Sequence, residues 1–131
     1  MKSRDTLARL KRFQAEEKRR HFVQIETMIA DFERMATDLD REIAAEQQRS
    51  GISDPNHFAY PTYARAAATR RDNLKRSADE LKQQLDEARE ALDAAMDELR
   101  KVEALGERER TETPVEIARA GAARLRHGAT I

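Results

Sequence analysis

The chain has 131 residues, 38 % charged, 39 % hydrophobic and 5 % aromatic, with a formal net charge of zero. That length suits one domain, but so few large apolar side chains cannot fill a thick core, so long solvated helices are expected rather than sheets. The lack of cysteine excludes disulfides and thiolate zinc sites. With no apolar run long enough for a membrane span or signal peptide, a cytoplasmic protein is expected.

The first 21 residues are basic, with eight Lys or Arg against three Asp or Glu. From Phe22 the apolar side chains recur at steps of three and four through Ile25, Ile29, Phe32, Ala36, Leu39 and Ile43. This spacing predicts a coiled-coil seam on a first helical arm over about 3–49. Continued toward the N-terminus, the seam meets Lys18 and Lys11, which can snorkel but cannot fill a hole. Leu7, Leu10 and Phe13 lie off that line. Either the stripe shifts locally so that they pack on Leu99, Val102 and Leu105, or they form an open apolar strip for another protein. Arg9, Lys11, Arg12, Lys18, Arg19 and Arg20 beside them would favour an acidic partner.

The segment RSGISDPNHFAYP, residues 49–61, holds one of the four glycines, two of the three prolines and two aromatics. Gly51 is expected to end the first arm in a left-handed cap, and Asp54-Pro55 to set a turn. Pro61 suits the first turn of a second arm over 61–105, where a missing N–H costs nothing. The tip, 50–60, is therefore a bend between two helices. Phe58, Tyr60 and Tyr63 either fold back as a lid over Ile43 and Ile52 or project as a docking knob.

The second arm carries Leu74, Ala78, Leu81, Leu85, Ala88, Leu92, Ala95, Leu99 and Val102, again four-three without a skip, with Arg71 also on the line. A bend near 54–56 pairs residues whose numbers sum to about 110, setting Phe32 against Ala78, Phe22 against Ala88, Ile29 against Leu81, Ile25 against Leu85 and Ala36 against Leu74. Large then repeatedly faces small, which fills space evenly. Charge agrees with antiparallel legs. Residues 22–46 hold seven acids and two bases opposite the basic 62–76, and 77–105 hold nine acids and four bases opposite the basic N-terminus. Exposed pairs are worth only about 0.2–1 kcal/mol each, so they report direction more than stability. Arms of this length predict a rod on the order of 65–70 Å.

Gly106 is expected to break the heptads, leaving 106–131 as a polar tail. Within it, Thr113-Pro114-Val115-Glu116 reads as a capping box opening a short helix over 114–126, weakened by Gly121 and ended by Gly128. The fold class is thus all-α, a long antiparallel two-helix coiled-coil hairpin over 1–105 with a short tail.

No phosphate loop, nucleophile elbow, zinc-protease or dinucleotide motif occurs. His21, His57 and His127 stand apart without metal-type spacing, and no acid or base is singled out. No enzyme, metal or cofactor is expected. The basic end lacks interleaved aromatics and faces an acidic arm, so nucleic acid is not an expected partner.

KSRDTLARLKRFQAEEKRR at the start, IADFERMATDLDREIAAE in the first arm, SGISDPNHFAYPTYARAAATRRDNLKRSADEL around the tip and DELRKVEAL late in the second arm resemble the FliJ-type flagellar export proteins of alphaproteobacterial kind. The likeness spans residues 1 to about 105, and the tip, which is not a heptad pattern, carries most of its specificity. The resemblance implies a non-enzymatic coiled-coil stalk, similar to the gamma subunit of rotary ATPases, in the flagellar type III export apparatus. It implies binding to the hexameric export ATPase, the export gate and export chaperones, at the cytoplasmic face of the flagellar base and near the membrane only through partners. On this view Leu7, Leu10, Lys11, Arg12, Phe13, Arg19 and Arg20 contact the ATPase or gate, and Phe58, Tyr60 and Tyr63 form a further contact. The competing expectation is a general scaffold or chaperone that homodimerises into a helical bundle, with Met28, Met35 and Met96 extending the apolar face.

Overall fold

The computed structural model describes the backbone of residues 2–129 and the side chains of residues 2–109. Two helices, α1 (Lys2–Ser50) and α2 (Thr62–Ala129), pack against each other as an all-α hairpin, with no strand among the described residues. α1 contains neither glycine nor proline and stops where the first glycine appears. Gly51 takes φ +73° and donates its N–H to the Gln47 carbonyl at 2.9 Å, the left-handed cap that only a residue without Cβ adopts cheaply. α2 starts one residue later than expected. Pro61 precedes it and supplies the carbonyl that accepts the first helical bond, from Arg65 N–H at 3.1 Å.

Gly106 does not break α2, which runs on through it. The residue sits four positions after Val102 on the four-three line and is partly buried, and a helical glycine costs only about 1 kcal/mol, which flanking helix formers offset. Residues 106–129 of the expected tail are therefore part of α2. The side chains of the capping box at 113–116, and of His127, lie outside the described residues.

The chain divides into two compact units, one of Met1–Lys18 with Leu92–Ile131 and one of Arg19–Ala91. In the second, Ile25, Ile29, Ala78 and Ala88 are buried in one cluster, with Phe22, Phe32, Leu81 and Leu85 packed on it. Partners predicted from the register meet in this cluster, Phe32 and Ala78 among them, and alanine on α2 leaves space for the bulk on α1. Burying an isoleucine contributes about 1.5–3 kcal/mol, so this cluster is the main store of stability in the unit. Toward the tip, Ile43, Tyr60, Ala64 and Ala67 form another cluster, flanked by Leu39, Ile52 and Ala68. Arg71, on the apolar line of α2, turns its guanidinium to Asp40 at 2.9 Å and Asp72 at 3.1 Å. The hydrogen bond to Asp40 holds its pKa above the ordinary value against partial desolvation.

In the first unit the seam line of α1 turns alanines and a lysine inward, while α2 contributes Leu92, Ala95, Leu99 and Val102. Ala15 and Leu99 are buried, while Ala8, Lys11, Ala95 and Val102 are partly buried. Its antiparallel direction is marked by Arg4–Glu109 at 2.6 Å and Lys11–Glu98 at 2.6 Å, joined by Arg12–Glu103 at 3.6 Å. Among the described residues, no helix is long and apolar enough to cross a membrane.

Candidate functional site

In the first unit the four-three line drawn back from Phe22 passes through Lys18, Ala15, Lys11 and Ala8, and the structure follows that line rather than shifting it. Leu7, Leu10 and Phe13 consequently stay 40, 49 and 52 % exposed. Leu105 on α2 is similarly exposed. The expectation that these side chains repack onto Leu99, Val102 and Leu105 is thus corrected. Ala15 is buried and Ala8 and Lys11 are partly buried on that line, which leaves Leu7, Leu10 and Phe13, wound across about 120° of the α1 surface, on its outer side. The geometry leaves an apolar strip on the outside of the unit.

Two of the cations beside that strip, Lys11 and Arg12, are paired with α2. Lys11, at a seam position, reaches out to Glu98, and its ammonium holds the Glu98 carboxyl below the usual range through that hydrogen bond. Arg12 lies beside Glu103. The first unit therefore offers an apolar strip with Lys11 and Arg12 tied to α2. Lys18 is exposed despite its place on the line. Arg19 and Arg20 fall in the second unit, exposed on α1, so the seven-residue set expected from the sequence is not one patch within a single unit.

The tip separates the three aromatics. Tyr60 is 6 % exposed and packs on Ile43, Ala64 and Ala67, its hydroxyl accepting a hydrogen bond from Gln47 Nε2 at 2.8 Å and its ring lying under Arg65 at 5.5 Å. It is the lid, and Ile52 joins it. Phe58 is 95 % exposed and stacks on His57, with ring centroids 4.8 Å apart. Tyr63 is exposed and donates its hydroxyl to Glu42 at 2.8 Å, a bond that raises the phenol's pKa above its ordinary value.

The backbone under Phe58 is built rather than loose. His57 N–H reaches the Asp54 carbonyl at 3.1 Å, Asn56 N–H the Asp54 carboxylate at 2.9 Å, and Tyr60 N–H the His57 carbonyl at 3.0 Å. His57 Nδ1 accepts the Ala59 N–H at 3.0 Å, so this histidine shapes the turn, a role its isolation in the sequence did not suggest. No signal for it stands in the sequence, since the side chains that commonly bond a turn's own backbone are Asn, Asp, Ser and Thr. Comparison with known protein families, curated proteins and solved structures finds no match to this chain.

Proposed function

We propose that the chain is a non-enzymatic component of the flagellar type III export apparatus, a coiled-coil stalk that binds the export ATPase ring and couples it to the export gate and chaperones. It would work in the cytoplasm at the flagellar base. The observation that carries this reading is the outward placement of Leu7, Leu10 and Phe13 while Ala8, Lys11 and Ala15 face the seam. Leaving three large apolar groups in water while alanine and lysine occupy the interior is poor use of a thin core unless a partner covers the large ones. The sequence resemblance supplies the identity of that partner, and the all-α hairpin is the fold the resemblance implies.

In this mechanism the first unit is the docking end. Leu7, Leu10 and Phe13 supply the contact area, and Lys11 and Arg12 either keep their α2 carboxylates or exchange them for acidic groups of the ring. Arg19, Arg20 and the tip residues Phe58 and Tyr63 are contacts for other components, whereas Tyr60 acts by holding the tip rather than by touching a partner.

The test is the triple variant Leu7→Ser, Leu10→Ser, Phe13→Ser, assayed for capture by the purified export ATPase and for helicity by circular dichroism. Loss of capture with helicity retained is expected. Undiminished capture with the same helicity overturns the docking assignment, and a stable dimer by light scattering that ignores the ATPase overturns the stalk in favour of a scaffold.

A further inference from the structure

The two flanks of the Arg19–Ala91 unit differ in chemistry. On one, Ala36 and Ala78 floor an open cleft edged by Glu33, Lys75, Asp79 and Lys82. Lys82 lies 3.3 Å from Glu33 and 3.5 Å from Asp79, and its bond to Glu33 raises the ammonium's pKa, so this flank compensates its own charge. On the other, Met35, Leu39 and Leu74 line a second cleft that Tyr63, Glu42 and Arg70 close toward the tip. Met28 stands one heptad before Met35 in α1, and both are exposed, as is Tyr63. Leu39 and Leu74 are partly buried on the seam, whereas Met28 and Met35 stand outside it.

One helical turn to the side of the methionines come Asp31 and Asp38. The matching positions of α2 are Glu80 and Glu87, and the remaining places on this flank between 24–38 and 73–87 are the neutral Gln24, Asn73, Ser77 and Gln84. Asp31 and Asp38 are bonded on their far side to Arg34 at 2.6 Å and Arg41 at 3.7 Å. The α1 rim thus carries two carboxylates paired with arginines and the α2 rim the carboxylates of Glu80 and Glu87, while Arg70 lines the flank at its tip end.

We propose that this flank, centred on Met28 and Met35 and rimmed by Asp31, Asp38, Glu80 and Glu87, is a docking groove for a basic amphipathic helix of a partner protein. Met28 and Met35 are two turns apart, about 10.5 Å along the axis, the spacing at which a third helix laid alongside presents apolar residues at i and i+7. Methionine adapts its shape to such a surface better than branched side chains do. The rims select the partner's charge, because lysines or arginines flanking its apolar stripe fall over carboxylates on both sides. A second copy seated face to face would bring acidic rim onto acidic rim, which is why the occupant is a cationic helix rather than this chain. The groove is separate from the Leu7–Phe13 strip and stands or falls without it.

The full-length chain, labelled at methionine methyl groups, would be titrated with three short synthetic peptides and followed by NMR. The first has leucines spaced three and four apart flanked by lysines, the second has glutamates in place of the lysines, and the third is a scramble of the first. The proposal expects the first alone to shift the Met28 and Met35 methyls, with affinity falling about tenfold in Met28→Gln/Met35→Gln and several-fold in Glu80→Gln/Glu87→Gln while helicity is unchanged. Equal binding of the scrambled or the acidic peptide, shifts that spare Met28 and Met35, or a dimer in sedimentation that the methionine double variant dissolves would each overturn it. The export ATPase takes no part in this experiment, so its outcome is independent of the stalk assignment.

Discussion

The two compact units use the same helical repeat to opposite ends. In Arg19–Ala91 the seam takes the large residues Ile25 and Ile29 inward against Ala78 and Ala88, with Phe22, Phe32, Leu81 and Leu85 around them. In the unit of Met1–Lys18 and Leu92–Ile131 the seam of α1 takes alanine and lysine inward and leaves Leu7, Leu10 and Phe13 outside. The first arrangement buries its large apolar side chains, and the second leaves those of α1 at the surface. A continuous four-three pattern therefore does not mean uniform strength. What sits on the line decides how much apolar surface a stretch of hairpin buries.

The contrast is broken most directly by truncating one apolar side chain in each unit. Ile25→Ala should cost about 2–4 kcal/mol in urea unfolding, whereas Leu10→Ala should stay within about 0.5 kcal/mol. Equal losses would mean that Leu10 is packed after all. Next in size is Gly51→Ala, which forces a Cβ into the left-handed region and should cost about 1–2 kcal/mol, although nothing stands within 4 Å of the added carbon. A cost near zero would show that the bend does not depend on this cap.

A smaller effect of opposite sign sharpens the picture of the first unit. Lys11→Leu should raise stability by about 1 kcal/mol, since leucine fills a seam position that an exposed ion pair only bridges. The same variant should return the Glu98 carboxyl to its ordinary titration. A depressed carboxylate pKa contributes stability that is present above the unfolded value and lost as pH falls through the folded one, so the wild-type chain should lose that contribution on acidification and the variant should not. Destabilisation by Lys11→Leu would mean that the Lys11–Glu98 pair outweighs the apolar burial that leucine brings.

The smallest effect is spectroscopic. Glu42→Gln should lower the titration point of Tyr63, read from its Cζ resonance, because the carboxylate that raises it is gone. For a group with a raised pKa the linked stability is complete below the unfolded value and lost as pH rises through the folded one, which puts this contribution on the alkaline limb alone. An unmoved resonance would show that the Tyr63–Glu42 bond does not persist in solution.

Much of this architecture was legible because coiled-coil physics is periodic. The apolar spacing gave both helices and their register, and Gly51 with Asp54-Pro55 gave the bend, since each residue type there has one dominant backbone use. Three features were not legible, for three reasons. Gly106 was expected to end a helix, yet a glycine signals a cap only when a turn follows, and the flanking ERER and VEAL segments are helix formers. The burial of Tyr60 rather than Phe58 depends on the direction in which the loop delivers each ring and on Gln47 being near enough to satisfy a hydroxyl, neither of which composition reveals. The exposure of Leu7, Leu10 and Phe13 was one of two readings, because the same spacing fits a shifted and an unshifted stripe. Of the candidate site, the residues of the apolar strip could be read off the sequence, but the pairing of its cations with Glu98 and Glu103 could not.

The bond between Gln47 and Tyr60 spans only thirteen residues, and everything beneath it is closed by local turns. Closing so short a loop costs little chain entropy, so this end can form first and let the legs of its unit zip away from it. Changes at Gly51 or Tyr60 should then slow folding itself, while changes at Phe22 or Ala88, far from the bend, should leave the folding rate alone and hasten unfolding. The loop that reverses the chain would in that case also be its starting gun.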